Sequence, residues 1–307
     1  MYKIEEITNK ILQGNSLEQL KLIPSESIDT IMCSPPYWAV RDYKIREDII
    51  WDGDSNCKHD FKLIKRKLHG GSTSEEWANT VNKGMQKSDW ITEDGFCSKC
   101  RAWKGQLGLE PTYNLFIKHL CDIFVEVKRV LKKSGTCWVN MGDSYSGNMG
   151  KRDGWTDNKM GFTKDQGIKS GVALINKQFE YSLPNKSLCL IPFRFATAMV
   201  DMGWICRNVV IWHKPNCMPS SVKDRFTVDF EYVFFFTKNK DYYFEPQYEP
   251  LAESSLTDPR LDKGREEHMG KSADKTYSMN ATVINSYGRN KRAVWTITTQ
   301  PSSEYYC

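Results

Sequence analysis

Apolar residues occur along the chain in short runs and at helical spacing, separated by polar stretches. The stretch over residues 27–33, which ends in the apolar run Ile31-Met32-Cys33, is typical of a buried strand. Apolar positions recur every three or four residues after Thr112, which predicts a long helix that this threonine caps and that Lys-Lys-Ser-Gly at 132–135 ends. The other predicted elements are helices at 17–22 and 193–202 and strands at 136–141, 205–212 and 232–237. Strands that alternate with helices predict an α/β fold with a parallel sheet and right-handed crossovers.

Two polar stretches interrupt this pattern. Residues 146–182 are rich in Gly, Lys, Asp and Asn, and residues 247–283 hold scattered charges, with weak periodicity in both. The first is interpreted as a mobile loop beside the functional site and the second as an insert that reaches a partner. A disordered surface excursion explains either stretch equally well. By contrast, the three consecutive phenylalanines at 234–236 are predicted to belong to the core.

The sequence Ser34-Pro35-Pro36-Tyr37 follows directly on the strand predicted at 27–33. Two prolines cannot continue a strand, because proline lacks the ladder N–H and fixes φ. The chain is therefore stiffened just past the carboxyl end of a strand, where open α/β sheets bind ligands. A hydroxyl, fixed carbonyls and an aromatic ring side by side suit a planar ring that carries an amino group. The alternative is a loop with an incidental proline pair, which the preceding strand and the flanking aromatic residues disfavour.

A second group of candidate functional residues lies between that turn and the predicted long helix. Cys57 and His59 form one pair, and Cys97 and Cys100 form a Cys-x-x-Cys knuckle. Thiolate and imidazole in two such pairs are ligands typical of a tetrahedral Zn²⁺ site, and four protein ligands leave no position for substrate. The sequence therefore predicts a structural zinc site that folds residues 51–103 into a small module. A redox-active Cys-x-x-Cys pair and unrelated buried thiols are the alternatives.

Composition narrows these possibilities only slightly. The 307 residues fit one large α/β domain or a domain with an insert, and ten cysteines favour reduced thiols and a metal over disulfides. No apolar stretch is long enough to span a bilayer and no signal peptide is evident, so a cytoplasmic protein without a membrane partner is expected. The net charge of +5 permits a polyanionic partner without requiring one. Basic residues cluster at 62–67 and 289–292, where a solvated charged face is the alternative interpretation.

Beyond the Ser-Pro-Pro-Tyr sequence, further segments follow one another in the order found in one enzyme family. They are Gly14-Asn15-Ser16-Leu17, residues 135–144, Lys186-Ser187-Leu188, residues 212–216 and residues 288–295. On these segments the chain resembles the permuted class of DNA amino-methyltransferases, which transfer a methyl group from S-adenosylmethionine (SAM) to an exocyclic base nitrogen. The resemblance covers nearly the whole chain and implies a Rossmann-like methyltransferase sheet. The Ser form of the tetrapeptide is commonest among N4-cytosine enzymes and implies that substrate, with N6 of adenine as the alternative.

The resemblance implies roles for the residues of the turn. The Ser34 side chain and the Pro35 carbonyl accept the amine hydrogens, and Pro36 completes the rigid turn. Tyr37 stacks on a target base that has been flipped out of double-stranded DNA. Asp143 either helps to hold the flipped nucleotide or caps a turn.

Other residues are implied to contact the cofactor or the DNA. Asn15, Ser16 and Trp295 are the candidates for SAM binding, and Asn15 stands where family members usually carry an acid that contacts the adenosyl group. The candidate DNA-binding residues are Arg41, Lys214, Arg225, Arg289 and Arg292.

One expected segment is missing from the sequence. SAM sites of this family rest on a turn of the form Phe-x-Gly-x-Gly, which comes last in the permuted class, and the chain contains no such turn. The expected parts are a catalytic part (1–50), a zinc-binding insertion (51–105), the rest of the methyltransferase core (106–245), a target-recognition insert (246–290) and a truncated cofactor-side segment (291–307). The chain is then a fragment or half of a split enzyme, completed by a second polypeptide or a missing C-terminal segment at an unpaired strand edge. A DNA-binding half without catalytic activity, or an RNA or protein-amide substrate, is the alternative.

Overall fold

A computed structural model describes residues 2–39, 49–67, 91–146, 183–184, 186–251 and 289–300. The helices in these ranges are α1 (Ile4–Ile7), α2 (Ser16–Leu22), α3 (Tyr113–Val130) and α4 (Ile191–Asp201). The strands are β1 (Ile28–Cys33), β2 (Ile50–Trp51), β3 (Phe61–Lys67), β4 (Ile91–Cys97), β5 (Trp103–Lys104), β6 (Leu131–Met141), β7 (Ile205–His213), β8 (Phe230–Thr237), β9 (Tyr248–Glu249), β10 (Arg289–Asn290) and β11 (Val294–Thr296).

Five strands form a central mixed sheet in the order β1-β6-β8-β7-β11. β1 is parallel to β6 and β11 is parallel to β7, whereas β8 is antiparallel to both of its neighbours. The expectation of a parallel sheet is wrong at β8, because residues 214–229 join β7 to β8 without a helix and return the chain in the opposite direction. The carboxyl ends of β1, β6, β7 and β11 and the amino end of β8 therefore lie at one edge of the sheet.

The long helix α3 begins where the sequence predicts and ends earlier. Thr112 Oγ1 accepts a hydrogen bond from Leu115 N at 3.2 Å, which confirms the predicted cap. The helix ends at Val130, so the stop predicted at 132–135 is wrong. Leu131 has an extended backbone (φ −70°, ψ 135°) and pairs with β1, and residues 132–135 belong to β6. Pairing between strands overrides the local stop signal here.

The main part of the core lies on one face of the central sheet, beneath α3 and α4. Phe195 of α4 is fully buried together with Phe234 and Phe236 of β8. Phe235 lies on the opposite face, because side chains alternate along a strand, and its ring stacks on Trp138 with centroids 4.1 Å apart. All three phenylalanines are buried, so the prediction that they belong to the core is confirmed, and so is the α/β class.

A smaller antiparallel sheet, in the order β2-β5-β4-β3, lies between β1 and α3 in the sequence. Its buried side chains include Trp51, Cys97 and Trp103. The rings of both tryptophans stack on His119 of α3, at centroid distances of 4.5 Å for Trp51 and 5.4 Å for Trp103. The small sheet is therefore anchored to the central domain through α3.

Several predictions concern residues that the structure does not describe. Arg41 and most of the stretches at 146–182 and 247–283 lie outside the described residues. The proposed division into five parts stays a prediction. Within the described ranges, no helix combines the length and apolar character needed to cross a membrane.

Candidate active site

A polar cluster lies at the edge of the central sheet where β1 ends. Ser34 follows β1, Asn140 lies near the end of β6, Lys214 follows β7 and Glu231 is the second residue of β8. These four positions meet because β1, β6, β8 and β7 are consecutive neighbours in the sheet. This is the edge at which α/β sheets bind ligands, as the position of the Ser-Pro-Pro-Tyr turn predicts.

Asn140 joins the two ends of the predicted catalytic turn. Ser34 Oγ donates a hydrogen bond to Asn140 Oδ1 at 3.2 Å, and Tyr37 Oη lies 2.9 Å from the same oxygen. Asn140 Nδ2 donates to the Tyr232 carbonyl at 3.3 Å, which ties the amide to the sheet. Because the hydroxyl proton of Ser34 is directed at Asn140, the lone pairs of Ser34 Oγ are left to accept a further hydrogen bond.

The ring of Tyr37 is held at both ends. A Cβ at Gly142 would lie 2.5 Å from Tyr37 Cε2, so only glycine leaves room for the ring in the turn after β6. At the other end, the phenol donates to Glu231 Oε2 at 2.7 Å. These contacts fix the orientation of the aromatic side chain.

Glu231 is the anionic member of the cluster. Its second carboxylate oxygen pairs with Lys214 Nζ, which also lies 4.3 Å from the centroid of the Trp212 ring. Burial favours a higher pKa for Glu231, but hydrogen bonds from Lys214 and Tyr37 outweigh burial, and the pKa is lowered. Glu231 is therefore ionised at neutral pH and accepts the phenol proton. Lys214, predicted to bind DNA, is part of this hydrogen-bond network.

Asp143 caps α4. Its Oδ1 accepts hydrogen bonds from Ile191 N at 3.1 Å and from Ser144 N at 2.8 Å. Burial raises the pKa of this carboxyl although these hydrogen bonds favour the ionised form. Both roles predicted for Asp143, holding the flipped nucleotide and capping a turn, stay predictions.

The residues predicted to contact SAM lie on two separate elements. Asn15 is the N-cap of α2, with Oδ1 accepting from Leu17 N at 2.8 Å, and Ser16 is the first residue of that helix. The side chain at the position where family members contact the adenosyl group thus caps a helix in this structure. Trp295 lies in β11, which is the outermost strand on the side of the central sheet away from β1. Its Nε1 donates to the Arg292 carbonyl at 3.1 Å.

The four predicted metal ligands converge in the small sheet. The sulfur atoms of Cys57, Cys97 and Cys100 and a ring nitrogen of His59 all lie within 4.8 Å of one another. Cys57 Sγ is 4.0 Å from Cys97 Sγ, and Cys100 Sγ is 3.3 Å from His59 Nδ1. Ligands about 2.3 Å from a tetrahedral Zn²⁺ lie roughly 3.8 Å apart, so the four atoms have the spacing of such a site.

The environment of this cluster favours thiolates at two of the three cysteines. Burial opposes ionisation of Cys97, but N–H groups of the backbone, from Cys100 and Asp60 among others, lower the pKa of Cys97 to about 5. Backbone N–H groups, that of Ala102 first, also lower the pKa of Cys100. Burial and the neighbouring sulfurs raise the pKa of Cys57 to about 11. A bound divalent cation would remove this opposition, because metal binding deprotonates thiols.

The other candidate DNA-binding residues lie on different elements. Arg225, between β7 and β8, places its guanidinium 3.6 Å from the centroid of the Tyr145 ring. Arg289 and Arg292 both pair with Glu249, at 3.5 and 3.1 Å. Hydrogen bonds from Arg292 lower the pKa of Glu249.

Two members of the polar cluster, Asn140 and Glu231, are not among the residues predicted from the sequence. Both residues stand out in the sequence as polar residues within apolar strands. Asn140 interrupts an apolar strand near its end, and Glu231 is a lone carboxylate in the aromatic run 230–236. A polar side chain in such a strand needs a partner when it is buried, and the other members of the polar cluster supply one.

Comparisons with known proteins agree with the motifs. A family model described as DNA methylase, of the N6/N4 methyltransferase type, matches residues 28–306. The Type II methyltransferase M.SmaI of Serratia marcescens is 30% identical over 292 residues, which cover 95% of this chain and 68% of that protein. M.SfiI of Streptomyces fimbriatus is 34% identical over 237 residues, which cover 75% of this chain and 36% of that protein. The chain thus spans between 36% and 68% of the length of these two relatives.

Among solved structures, the PvuII DNA methyltransferase (cytosine-N4-specific) aligns with 95% of this chain and 57% of its own, at 14% identity and a TM-score of 0.39.

Proposed function

Because the chain belongs to the DNA methylase family of the N6/N4 type, we propose that it methylates the exocyclic N4 of a cytosine in double-stranded DNA, with SAM as the methyl donor. The observation that supports this most is the turn after β1, in which Asn140 lies within hydrogen-bonding distance of both the Ser34 hydroxyl and the Tyr37 phenol. The turn presents an acceptor and an aromatic ring at the edge of the sheet where a ligand binds.

The turn can activate an amine that is otherwise a poor nucleophile. The nitrogen of an exocyclic amine conjugates with its ring, so its lone pair attacks only as the nitrogen becomes pyramidal. Acceptors placed for both N–H bonds of the pyramidal amine stabilise the transition state more than the ground state. Ser34 Oγ supplies one acceptor, with its own proton directed at Asn140, and the Pro35 carbonyl supplies the other. SAM, when bound, supplies the electrophilic methyl group.

Tyr37 gives the flipped base a stacking surface. A target amine cannot reach Ser34 while it is paired in a duplex, so the base must first leave the stack. Gly142 and Glu231 hold the Tyr37 ring before the base arrives, so little ordering is needed on binding.

Nucleoside mass spectrometry of unmethylated DNA incubated with the purified protein and SAM tests this proposal. N4-methylcytosine is expected, and N6-methyladenine would keep the mechanism and change the base. Ser34→Ala should lower the yield by about 10²-fold or more. Ser25→Ala, which changes an exposed serine at the opposite end of β1, is the matched control. Full activity of Ser34→Ala would contradict the role of the hydroxyl.

The second part of the proposal is a structural Zn²⁺ ion held by Cys57, His59, Cys97 and Cys100. The convergence of three sulfurs and one imidazole nitrogen supports it. Four protein ligands complete a tetrahedral shell, so this ion would stabilise the small sheet and offer no open position to the substrate. Metal analysis should find one Zn²⁺ per chain in the wild type and in Cys121→Ser, and none in Cys97→Ser. Wild-type protein without metal after purification in zinc-containing medium would contradict the site.

The third part concerns the cofactor side. β1 is the edge strand among the described residues, and Met32 on it is 79% exposed. An open, apolar strand edge beside a catalytic turn favours pairing with a further strand. We propose that a segment outside the described residues, in a second polypeptide or a C-terminal continuation, pairs here and completes the SAM site. Calorimetry of SAM with the purified 307-residue chain should show weak binding, so the methylation assay is run at SAM concentrations well above the Kd, and tight binding would contradict this part.

A further inference from the structure

A histidine between two carboxylates lies buried where the small sheet meets the central domain. His119 of α3 is fully buried, with Nδ1 3.0 Å from Glu110 Oε1 and Nε2 3.3 Å from Asp52 Oδ2. The stacked rings of Trp51 and Trp103 enclose the imidazole. An imidazole that bonds at both nitrogens fixes the two carboxylates relative to each other.

Glu110 connects this cluster to the catalytic turn. Its Oε2 accepts a hydrogen bond from Gly108 N at 2.8 Å, and the Gly108 carbonyl accepts one from Ala39 N at 2.8 Å. The Glu110 carbonyl accepts from Trp38 Nε1 at 2.9 Å. Gly108 also packs directly on the turn, since a Cβ there would lie 3.0 Å from Pro36 Cβ. The residues that follow Tyr37 are therefore fastened to the segment that carries Glu110.

Asp52 connects the same cluster to the metal ligands. The next residue, Gly53, packs so closely on the knuckle that a Cβ there would lie 2.9 Å from Cys100 Sγ and 2.6 Å from Ala102 Cβ. Ala102 in turn accepts a hydrogen bond from Cys97 N at 2.7 Å. The position of Asp52 thus depends on the geometry of the Cys97–Cys100 knuckle.

These contacts form one continuous path, and from it we infer that Glu110 and His119 are positioning residues that couple the metal site to the catalytic turn. The inference rests on the proposed roles of the Ser34–Tyr37 turn and of the metal site. Loss of the metal loosens the knuckle and Asp52. His119 and Glu110 then lose one anchor, and the hydrogen bond from Ala39 to Gly108 opens more often. The metal acts on methyl transfer without touching the substrate.

Hydrogen exchange of the Ala39 amide, read by NMR or by mass spectrometry of peptides spanning 37–39, tests the coupling directly. In the zinc-loaded protein this amide should be protected. Chelation should speed its exchange by about tenfold or more, while peptides from β8 keep their protection. His119→Gln should give the same faster exchange with zinc still bound. Glu18→Gln, on the exposed side of α2 beside Lys21, is the matched control and should change nothing at Ala39.

The outcomes separate this inference from the proposals on which it rests. Unchanged Ala39 exchange in zinc-loaded His119→Gln would overturn the coupling. If chelation speeds exchange only in peptides 57–60 and 97–102, the metal site is supported but the coupling to Ala39 is wrong. If no zinc binds, the metal site and the coupling are both wrong. Glu110→Gln, which keeps the shape of the side chain, is the second test variant and is used if His119→Gln fails to fold. It should lower kcat by about tenfold with KM for DNA nearly unchanged, as a positioning role requires.

Discussion

The two sheets of this protein hold their polar side chains in place by different means. In the central sheet, buried aromatic rings such as Phe234 and Phe236 lie beneath the helices, and the polar cluster around Asn140 lies at the edge of the sheet. In the small sheet the four candidate metal ligands lie close together, and Trp51 and Trp103 pack on α3. The central sheet thus separates the residues that stabilise it from those proposed to do chemistry, whereas the proposed metal site would make the same residues of the small sheet responsible for both stability and binding.

That difference predicts which substitutions affect stability, activity or both. A small sheet with few buried side chains needs a further source of stability, and a metal is a common one. A central sheet with a buried aromatic core needs no such further source of stability. Substitution of the polar residues where its strands end should therefore cost little stability. The four predictions that follow test this division, beginning with the largest effect.

Removal of the metal should unfold the small sheet and leave the central sheet folded. Cys97→Ser removes one ligand, and chelation of the wild type removes the ion. In small zinc domains the free energy of metal binding also drives folding, and it is on the order of 10 kcal/mol. Limited proteolysis should then cleave between residues 49 and 104, and the helical circular dichroism of α3 should persist. Cys121→Ser, a change outside the cluster, is the control. Equal protease resistance with and without metal would remove the distinction between the sheets.

Truncation of the aromatic core should destabilise the central sheet without loss of metal. Phe236→Ala should lower the free energy of unfolding by about 3–5 kcal/mol, because the ring is fully buried and a cavity remains. Phe226→Ala, which changes a phenylalanine that is 95% exposed, should change it by less than about 0.5 kcal/mol. Urea denaturation with metal analysis of both variants measures the two quantities together. Zinc loss on Phe236→Ala in the folded protein would show that the aromatic core also holds the metal ligands in place, which contradicts this division.

At the catalytic edge, activity should fall while stability is nearly kept. Asn140→Ala removes the acceptor that orients the Ser34 hydroxyl and contacts the Tyr37 phenol, so kcat should fall by about 10²-fold. The free energy of unfolding should fall by only about 1 kcal/mol, since each lost hydrogen bond is partly exposed. Asn208→Ala, at an exposed position of β7, is the control. A stability loss as large as that of Phe236→Ala would contradict the separation of core and edge.

The smallest effect is a dependence of stability on acid pH. The pKa of Glu231 is lower in the folded protein than its ordinary value of 4.5. Its ionised form therefore stabilises the fold above pH 4.5, and this contribution is lost as the pH falls through the folded pKa. Glu231→Gln should flatten the acid side of a plot of Tm against pH. Glu110 behaves in the opposite way, because burial raises its pKa above the ordinary 4.5. The wild type therefore loses stability as the pH rises above 4.5 and Glu110 must ionise in a buried site. Glu110→Gln should not show this loss.

The features that could be predicted from the sequence are those that a short stretch of chain determines. The strand that ends in two prolines, the Thr112 cap and the spacing of the four candidate ligands each depend on neighbouring residues. The structure places the turn at the carboxyl edge of a sheet and brings the four ligands together.

The features that could not be predicted depend on register between distant strands. Asn140 meets Tyr37 across 103 positions of sequence, and Glu231 meets the same phenol across 194. The early end of α3 has the same cause, because Leu131 pairs with β1 although Lys, Ser and Gly follow it. The buried position of His119 depends on packing against a sheet formed by another segment of the chain.

The pairing of β1 with β6 has a consequence for folding of the chain during its synthesis on the ribosome. Thr30 of β1 faces Thr136 of β6, 106 residues further on. At roughly 5–20 residues per second, the strand that ends at Cys33 waits on the order of 5–20 s for its partner. The small sheet is complete at Lys104, so it can close during this interval. An insertion between the two strands thus gives the nascent chain a folded unit next to β1 while that apolar strand is still exposed to other chains.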